Sequence, residues 1–185
     1  MTITVYSVEF LDGLVTQARS AARLRQHRNL HSNYDEPCQR LFNAIEPSSY
    51  IRPHKHDSAS LGETFVVVRG LLALFVFDDL GSITAVHCFG AERYSALPGV
   101  VAGATVHADT WHTVVALTSG AVLLEVKAGP FVPTTAKHLA PWAPPEGDPA
   151  AASYLQSLVD VGRMHLSRLS ARPMDDVQFG LSMLP

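Results

Sequence analysis

Hydrophobic and polar positions follow two different periods along the chain. From Val8 to about Arg25 the apolar residues recur at helical spacing, which predicts an amphipathic helix. From Cys38 onward the apolar runs are short, rich in β-branched and aromatic residues, and separated by glycine, aspartate and proline. Such runs are typical of antiparallel strands in a sandwich or a small barrel. The predicted strands are CQRLFNAI, ETFVVVRG, LLALFVFDD, ITAVHCFG, WHTVVAL and AVLLEVKAG.

Two of these runs, FVVV and LLALFVF, are apolar on both faces and must be covered on both sides. The interior of a barrel would cover one face. The helix from Val8 to Arg25, or the second subunit of a homodimer, would cover the other. Between this helix and the first strand, the polar segment Arg25–Pro37 is rich in turn-forming residues and predicts a loop.

The C-terminal part of the chain changes character again. Six prolines between Pro130 and Pro149 exclude regular strand or helix, so this segment is expected to wrap around the outside of the barrel. The following AASYLQSLVDVGRMHLSRL has helical periodicity, but Gly162 in its apolar stripe argues against one unbroken helix. These patterns predict an N-terminal helical arm and loop at residues 1–37, a strand domain at 38–147, and a C-terminal helix and tail at 148–185.

Composition and charge narrow the classes of protein that fit. The 185 residues are 47% hydrophobic and 17% charged, which suits one domain with a substantial core. The formal net charge of −3 indicates no nucleic-acid partner. Cys38 and Cys88 form no paired motif and are expected to be buried free thiols in a reducing compartment. No signal peptide or membrane-spanning run is recognisable, so we expect a cytoplasmic protein without a membrane partner.

A metal site is the best explanation of YIRPHKHDSASLGETFVVVRG, residues 50–70. In a strand, residues i and i+2 face the same way, so His54 and His56 project together. Glu63 begins the next strand and shares its face with Phe65 and therefore with the core. Burying these groups without a partner would be costly, and coordination of a cation would supply that partner.

A fourth ligand is expected further along the chain. His112 begins the clean strand WHTVVAL, whereas His107, five residues earlier, lies in a turn-like stretch and would face the other way on a straight strand. We therefore predict His112 as the ligand. Three imidazoles and one carboxylate suit Fe(II), Mn(II), Zn(II), Ni(II) or Cu(II), and ligand type alone does not choose among them.

These residues resemble the cupin metal motifs. His54, His56, Glu63 and Gly70 match the first motif, and His112 matches the second. More closely, the chain is similar to the WbuC-type cupin fold metalloproteins. The similar segments are RLRQHRNLH, PCQRLFNAI, SYIRPHKH, ETFVVVRG, FDDLG, WHTVVAL, EVKAGPF and LAPWAPPEG, from about residue 23 to residue 147.

The resemblance implies an all-β fold, the double-stranded β-helix or jelly roll, with a metal ion at its centre. It also links the chain with bacterial surface-polysaccharide or sugar metabolism. Asn29, His31 and Arg40 lie in the similar segments and would reach the mouth of the barrel as substrate-binding residues. The alternative is structural: Arg40 would pair with an acid on the sheet, and Asn29 would cap a turn.

Several other polar residues each have two possible roles. Glu63 either joins the metal ligands or pairs with an arginine such as Arg52, and Arg52 is itself a candidate for binding substrate. Glu125 and Lys127 alternate on one strand, so they either form an ion pair facing solvent, which we favour slightly, or line the pocket. In the second case Lys127 would bind substrate. His107 is expected to be a turn residue rather than a base near the metal.

The sequence thus predicts a metal-binding cupin for a small polar molecule, sugar-like or a carboxylate, in a homodimer. Lewis-acid chemistry of the isomerase, epimerase or lyase type is one reading. An Fe(II)-dependent dioxygenase and a metal-dependent binding or sensor module without catalysis are the alternatives. An α/β-hydrolase is excluded because no G-x-S-x-G is present, and no phosphate-binding loop is found.

Overall fold

The computed structural model describes residues 3–57, 62–132 and 137–171. Its helices are α1 (Val8–Ser20), α2 (Ala150–Ser170) and a short 3₁₀ helix (Glu92–Ala96). Its strands are β1 (Arg25–Asn29), β2 (Cys38–Ile45), β3 (His54–Lys55), β4 (Glu63–Arg69), β5 (Leu71–Phe77), β6 (Ile83–Gly90), β7 (Gly103–Val106), β8 (Trp111–Ala116), β9 (Ala121–Ala128) and β10 (His138–Leu139). Within these ranges, no helix combines the length and the apolar character that crossing a membrane requires.

The strands form two five-stranded sheets. The first has the order β1-β2-β9-β4-β7 and the second the order β10-β3-β8-β5-β6. All the strand pairings within the two sheets are antiparallel, and successive strands of the chain pass repeatedly from one sheet to the other. This arrangement confirms the predicted cupin jelly roll with a helix at each end of the chain.

The interior of the jelly roll is apolar at one end and polar at the other. Inward-facing residues such as Phe65, Leu72, Phe89 and Leu123 form a buried apolar cluster. Toward the start of β4, the inward positions become polar, because Glu63 lies opposite Lys127 on β9. The apolar cluster therefore closes one end, and the polar side chains gather in the other.

The two helices cover the outer faces of different sheets. Leu14 and Val15 of α1 pack with Phe42 and Val122 on β2 and β9. Phe75 of β5 belongs to a second cluster with residues of α2, among them Leu155, Leu158 and Val159. The apolar outer face of β5 is therefore covered by the C-terminal helix, and neither α1 nor a second subunit is needed there.

Four local predictions are wrong. The helix ends at Ser20, and the predicted loop Arg25–Pro37 begins with strand β1, which pairs along β2. The proline-rich segment contributes the two-residue strand β10, which pairs with β3. Both thiols are free, as expected, but only Cys88 is buried, and burial raises the pKa of that thiol to about 11.

Helix α2 is continuous through Gly162, which the sequence did not predict. Gly162 is buried against the second sheet, where an added Cβ atom would lie 3.2 Å from Leu117 Cδ2 and 3.3 Å from Ala73 Cβ. Those distances are tight for carbon atoms. The absence of a side chain therefore lets the helix backbone approach the sheet, which outweighs the low helix propensity of glycine.

We expect the substitution Gly162→Val to lower the free energy of unfolding by about 1–3 kcal/mol, because it forces a branched side chain between α2 and the sheet. Gly13→Ala on α1 is the matched control, since nothing lies within 4 Å of the added Cβ. It should raise the free energy of unfolding by about 0.5–1 kcal/mol. Urea denaturation followed by circular dichroism measures both, and similar effects at the two positions would contradict the packing role.

Candidate metal centre

Three histidines and a glutamate from both sheets meet at the polar end of the jelly roll. His54 on β3 is the register partner of His112 on β8, and His56 follows directly after β3. Glu63 reaches them from the start of β4 on the opposite sheet. One ligand atom from each of the four side chains lies within 4.8 Å of all the others, and all four residues are buried. This cluster could hold a metal ion.

Backbone carbonyl groups fix two of the imidazole rings. The Nδ1 atom of His54 lies 3.0 Å from the carbonyl oxygen of Arg52, and that of His112 lies 2.8 Å from the carbonyl oxygen of Thr110. A carbonyl oxygen only accepts, so both Nδ1 atoms donate. The Nε2 atoms of the neutral rings then carry lone pairs. Such outer hydrogen bonds are the usual way in which a protein orients metal-binding histidines.

The contacts of Glu63 provide a test of whether these residues fit a metal ion. Its Oε1 atom lies 2.7 Å from His112 Nε2 and 2.9 Å from His56 Nε2. A carboxylate oxygen and the Nε2 of a neutral ring whose Nδ1 donates are both acceptors. Two acceptors at this distance require a proton or a cation between them. The donor set therefore fits a divalent ion.

The electrostatics of the cluster favour the protonation states that bind a metal. Burial lowers the pKa of His54 well below its ordinary value, and the charges of His112 and Lys137 act in the same direction. For Glu63, burial favours the neutral acid, but His112 and His56, which hydrogen-bond to the carboxylate when a proton rather than a cation lies between the atoms, outweigh it and hold the pKa of the carboxyl group well below its usual range. A neutral imidazole and an ionised carboxylate are the forms that coordinate metals.

The alternative ion pair between Glu63 and Arg52 does not form. The guanidinium group of Arg52 instead donates to the carbonyl oxygen of Ala140, from Nη2 at 2.6 Å and from Nε at 3.1 Å. His107 is exposed and lies outside the cluster of ligand atoms found among the described residues.

Three of the four candidate metal ligands, His54, Glu63 and His112, form part of the wall of a cavity of about 220 Å³ inside the jelly roll. Of the predicted substrate-binding residues, Asn29, His31 and Lys127 line this cavity. Arg40 and Arg52 are not among its lining residues. Arg40 forms an ion pair with Glu36, with 3.0 Å between Nη2 and Oε2, and this acid lies just before β2 rather than on the sheet.

Glu125 and Lys127 also line the cavity. They form the expected ion pair, with Lys127 Nζ donating to Glu125 Oε1 at 2.6 Å, but the pair faces inward rather than toward solvent. Burial and the nearby Glu63 raise the pKa of Glu125. Burial opposes the charge of Lys127, yet Glu125 raises the pKa of its ammonium group. The pair therefore places a carboxyl group and an ammonium group beside the metal ligands.

Sequence reasoning missed several polar residues of the cavity. Arg25 and His27 reach it from β1, Gln39 and Asn43 from β2, and Lys137 from the segment before β10. The residues of β1 and β2 occupy alternate positions of their strands, as do the predicted Asn29 and Lys127. An alternation of polar residues within a strand is the signal that could have found them.

Comparisons with known proteins were made for the whole chain. The family model that matches is described as a domain of unknown function (DUF6016) and spans residues 6–89, less than half of the chain. A search of curated proteins finds no match.

Solved structures are similar over more of the chain. Protein SO0799 from Shewanella oneidensis is 10% identical, with a TM-score of 0.50, over 80% of this chain and 86% of that one. KdgF from Halomonas sp. is 12% identical, with a TM-score of 0.42, over 56% and 79% of the two chains. Oxalate decarboxylase from Bacillus subtilis is 15% identical, with a TM-score of 0.46, over 81% and 35%. At these identities a likeness is one of fold alone, and the jelly roll is established by the topology of the two sheets. The chemistry of this chain must therefore be argued from its own cavity.

Proposed function

We propose that the protein binds one divalent metal ion through His54, His56, Glu63 and His112 and acts on a small polar molecule held in the adjacent cavity. The observation that carries this proposal is the convergence of the four ligand atoms within 4.8 Å of one another. The two acceptors that face each other across 2.7 Å, His112 Nε2 and Glu63 Oε1, support it because a cation would satisfy both.

The chemistry we favour is of the isomerase, epimerase or lyase type. A divalent ion bound by these residues supplies a Lewis acid that polarises a carbonyl or hydroxyl group of the substrate. Glu125 and Lys127 stand in the same cavity and offer a carboxyl group and an ammonium group for holding or moving a proton. Phe65, Val114 and Leu123 add apolar surface to the wall of the cavity.

Metal analysis tests the proposal directly. Protein purified from its own host should contain close to one equivalent of a transition metal by mass spectrometry, and a chelator should remove it. A chain that takes up no Fe, Mn, Ni or Zn after chelation and reloading would refute the proposal. Substrate-dependent oxygen consumption by the iron-loaded protein would favour the dioxygenase alternative. Ligand binding without turnover under any metal would favour the binding or sensor module.

The narrower family, the metabolic role, the cellular location and the oligomeric state are also proposals. Membership of the WbuC-type cupins and a role in surface-polysaccharide metabolism are supported by the segment matches in the sequence. A cytoplasmic location is supported by the two free cysteines. A homodimer is supported by exposed apolar residues of the N-terminal arm, where Ile3 and Val5 each keep 77% of their surface accessible. Light scattering of the purified protein tests the dimer, and a monomeric mass at micromolar concentration would exclude it.

A further inference from the structure

We propose that the molecule bound in this cavity is a small hydroxylated carboxylate, such as a sugar acid, whose negative charge is recognised by Lys137. This inference rests on the proposed function, because it names the class of ligand for the same site. It follows from the charges, the unpartnered polar atoms and the size of the cavity.

The two arginines of the cavity wall share one carboxylate. Arg23 binds Glu146 with two hydrogen bonds, from Nε at 2.8 Å and from Nη2 at 2.7 Å. Arg25 donates from Nη2 to the same carboxylate at 2.8 Å and from Nη1 to the carbonyl oxygen of Tyr50 at 2.8 Å. Both guanidinium groups therefore have their partners within the protein.

Two lysines add positive charge to the same cavity. The chain has three lysines, and two of them, Lys127 and Lys137, line the cavity. Lys127 pairs with Glu125, whereas no carboxylate of the described residues forms an ion pair with Lys137. Lys137 thus brings a positive charge without a counter-ion to the cavity. A divalent ion at the metal ligands would add to the positive potential, and an anionic ligand would balance it.

His27 provides a second indication of this potential. The pKa of this residue, which also lines the cavity, is lowered to about 4 by burial and then by repulsion from Lys137, Lys127 and Arg23. Burial is the largest cause of this shift, and only the further lowering by the three cations reports the positive potential that would attract an anion.

Hydrogen-bonding groups of the wall indicate that the anion also carries hydroxyl groups. Gln39 is almost fully buried, and its Nε2 atom donates to the carbonyl oxygen of Glu36 at 2.8 Å and to that of Tyr34 at 3.2 Å. These bonds fix the orientation of the amide, so its Oε1 atom is an acceptor, and it has no partner among the described residues. A hydroxyl group is the donor that such an acceptor requires.

His31 contributes a second polar atom. Its Nδ1 atom lies 2.9 Å from the carbonyl oxygen of Arg40 and 3.1 Å from the backbone nitrogen of the same residue. Nδ1 donates to the carbonyl oxygen in one tautomer and accepts from the N–H group in the other, so Nε2 is correspondingly an acceptor or a donor. This buried Nε2 has no partner among the described residues. Gln39 and His31 both line the cavity, and a hydroxyl group, which donates and accepts, matches the amide oxygen and either form of the ring nitrogen.

The size of the cavity limits the ligand. A protein cavity of about 150 Å³ holds benzene, with six non-hydrogen atoms. By proportion, the 220 Å³ found here takes on the order of ten such atoms. That matches a hydroxy acid or a monosaccharide acid, whereas a chain of several sugar units is too large.

The experiment compares acids with uncharged counterparts of the same shape. Protein loaded with one equivalent of Mn(II) or Zn(II), confirmed by metal analysis, is titrated calorimetrically with D-glycerate, D-gluconate and D-glucuronate, and with the corresponding amides. We expect at least one acid to bind about tenfold or more tightly than its amide, since hydrogen bonds to charged groups are the stronger ones. Failure of all three acids to bind, or equal binding of each acid and its amide, would overturn the inference.

Substitutions of single lysines test which side chain recognises the negative charge of the ligand. Lys137→Gln should weaken binding of the acid about tenfold and leave the amide unchanged, because it removes the charge that has no protein partner. Lys55→Gln is the matched control, as the third lysine pairs with Asp109 at 3.0 Å and does not line the cavity. Equal losses in the two variants, or no loss in Lys137→Gln, would contradict the assignment.

The same titrations separate this inference from the proposed function. If the protein binds metal but prefers the amides, the proposed metal site stands and only the carboxylate class of the ligand is refuted. A protein that fails to load metal refutes the proposed function itself. Glucose 6-phosphate serves as a further probe, and a preference for it over every acid would replace the carboxylate by a phosphate and overturn the inference.

Discussion

The substitution His112→Ala should weaken metal binding by more than about 100-fold, since even residues that only orient a ligand contribute 10- to 100-fold. The side chain is 1% exposed, so its removal also leaves a buried hole. We expect the metal-free protein to lose about 2–5 kcal/mol of unfolding free energy, the usual range for deleting a large buried side chain. Part of that loss arises because buried Glu63 would keep only His56 as a hydrogen-bonding partner. Competition with a fluorescent chelator measures the affinity, and urea denaturation in EDTA measures the stability.

His107→Ala is the control for this experiment. His107 is the other histidine that the sequence offers near this strand, but it is exposed and lies outside the cluster. Its replacement should leave both metal affinity and stability close to those of the wild type. Full metal occupancy in His112→Ala would remove His112 from the ligand set, and loss of metal in His107→Ala would show that the site is built differently.

The sequence predicted the metal cluster because each part of it depends on short-range geometry. His54 and His56 project to one side since they are two residues apart in an extended segment. Glu63 and His112 each lie at the start of a strand whose apolar alternation is clear, so their inward orientation could be read from their neighbours. The position of these strands on facing sheets is a long-range feature of the fold. It was expected from the cupin resemblance, and the topology confirms it.

Strand β1 was missed for a physical reason. The usual strand signal is an apolar inner face, but the inner face of β1 carries Arg25, His27 and Asn29 because it borders the cavity rather than the core. A hydrophobic pattern therefore describes only the apolar end of the jelly roll. Where a cavity replaces the core, the inward positions are polar and the segment resembles a loop.

The partners of long polar side chains could not be predicted either. Arg52 donates to the carbonyl oxygen of Ala140, a residue 88 positions away in the sequence. Glu125 was expected to face solvent, yet the register places it inward, opposite Phe65 on β4. Such contacts depend on which strands become neighbours. Likewise, both helices are amphipathic, and their sequences do not tell which sheet each one covers.

The metal-free protein should lose stability as the pH falls from 7 to 5. The folded-state pKa of His54 lies well below its ordinary value because the ring is buried and lies near His112 and Lys137. The unfolded chain therefore binds a proton near pH 6.5 that the folded chain binds only at a lower pH. Protons then favour the unfolded state, and His54 alone should reduce the unfolding free energy by up to about 1.4 kcal/mol per pH unit below pH 6.5. Glu63, whose pKa is also lowered, adds a loss in the same direction below about pH 4.5.

Urea denaturation of chelator-treated protein at pH 7.0, 6.0 and 5.0 measures this effect. The variant His54→Gln should show a shallower decline, because the group that titrates differently in the two states is gone. His87→Gln, at an exposed position on β6, should retain the slope of the wild type. A wild-type profile that stays flat between pH 7 and pH 5, or an unchanged slope in His54→Gln, would mean that the imidazole of His54 is as accessible to protons in the fold as in the unfolded chain. In that case the buried, neutral His54 on which the metal centre depends would not exist, since a ring that titrates freely is not held for coordination.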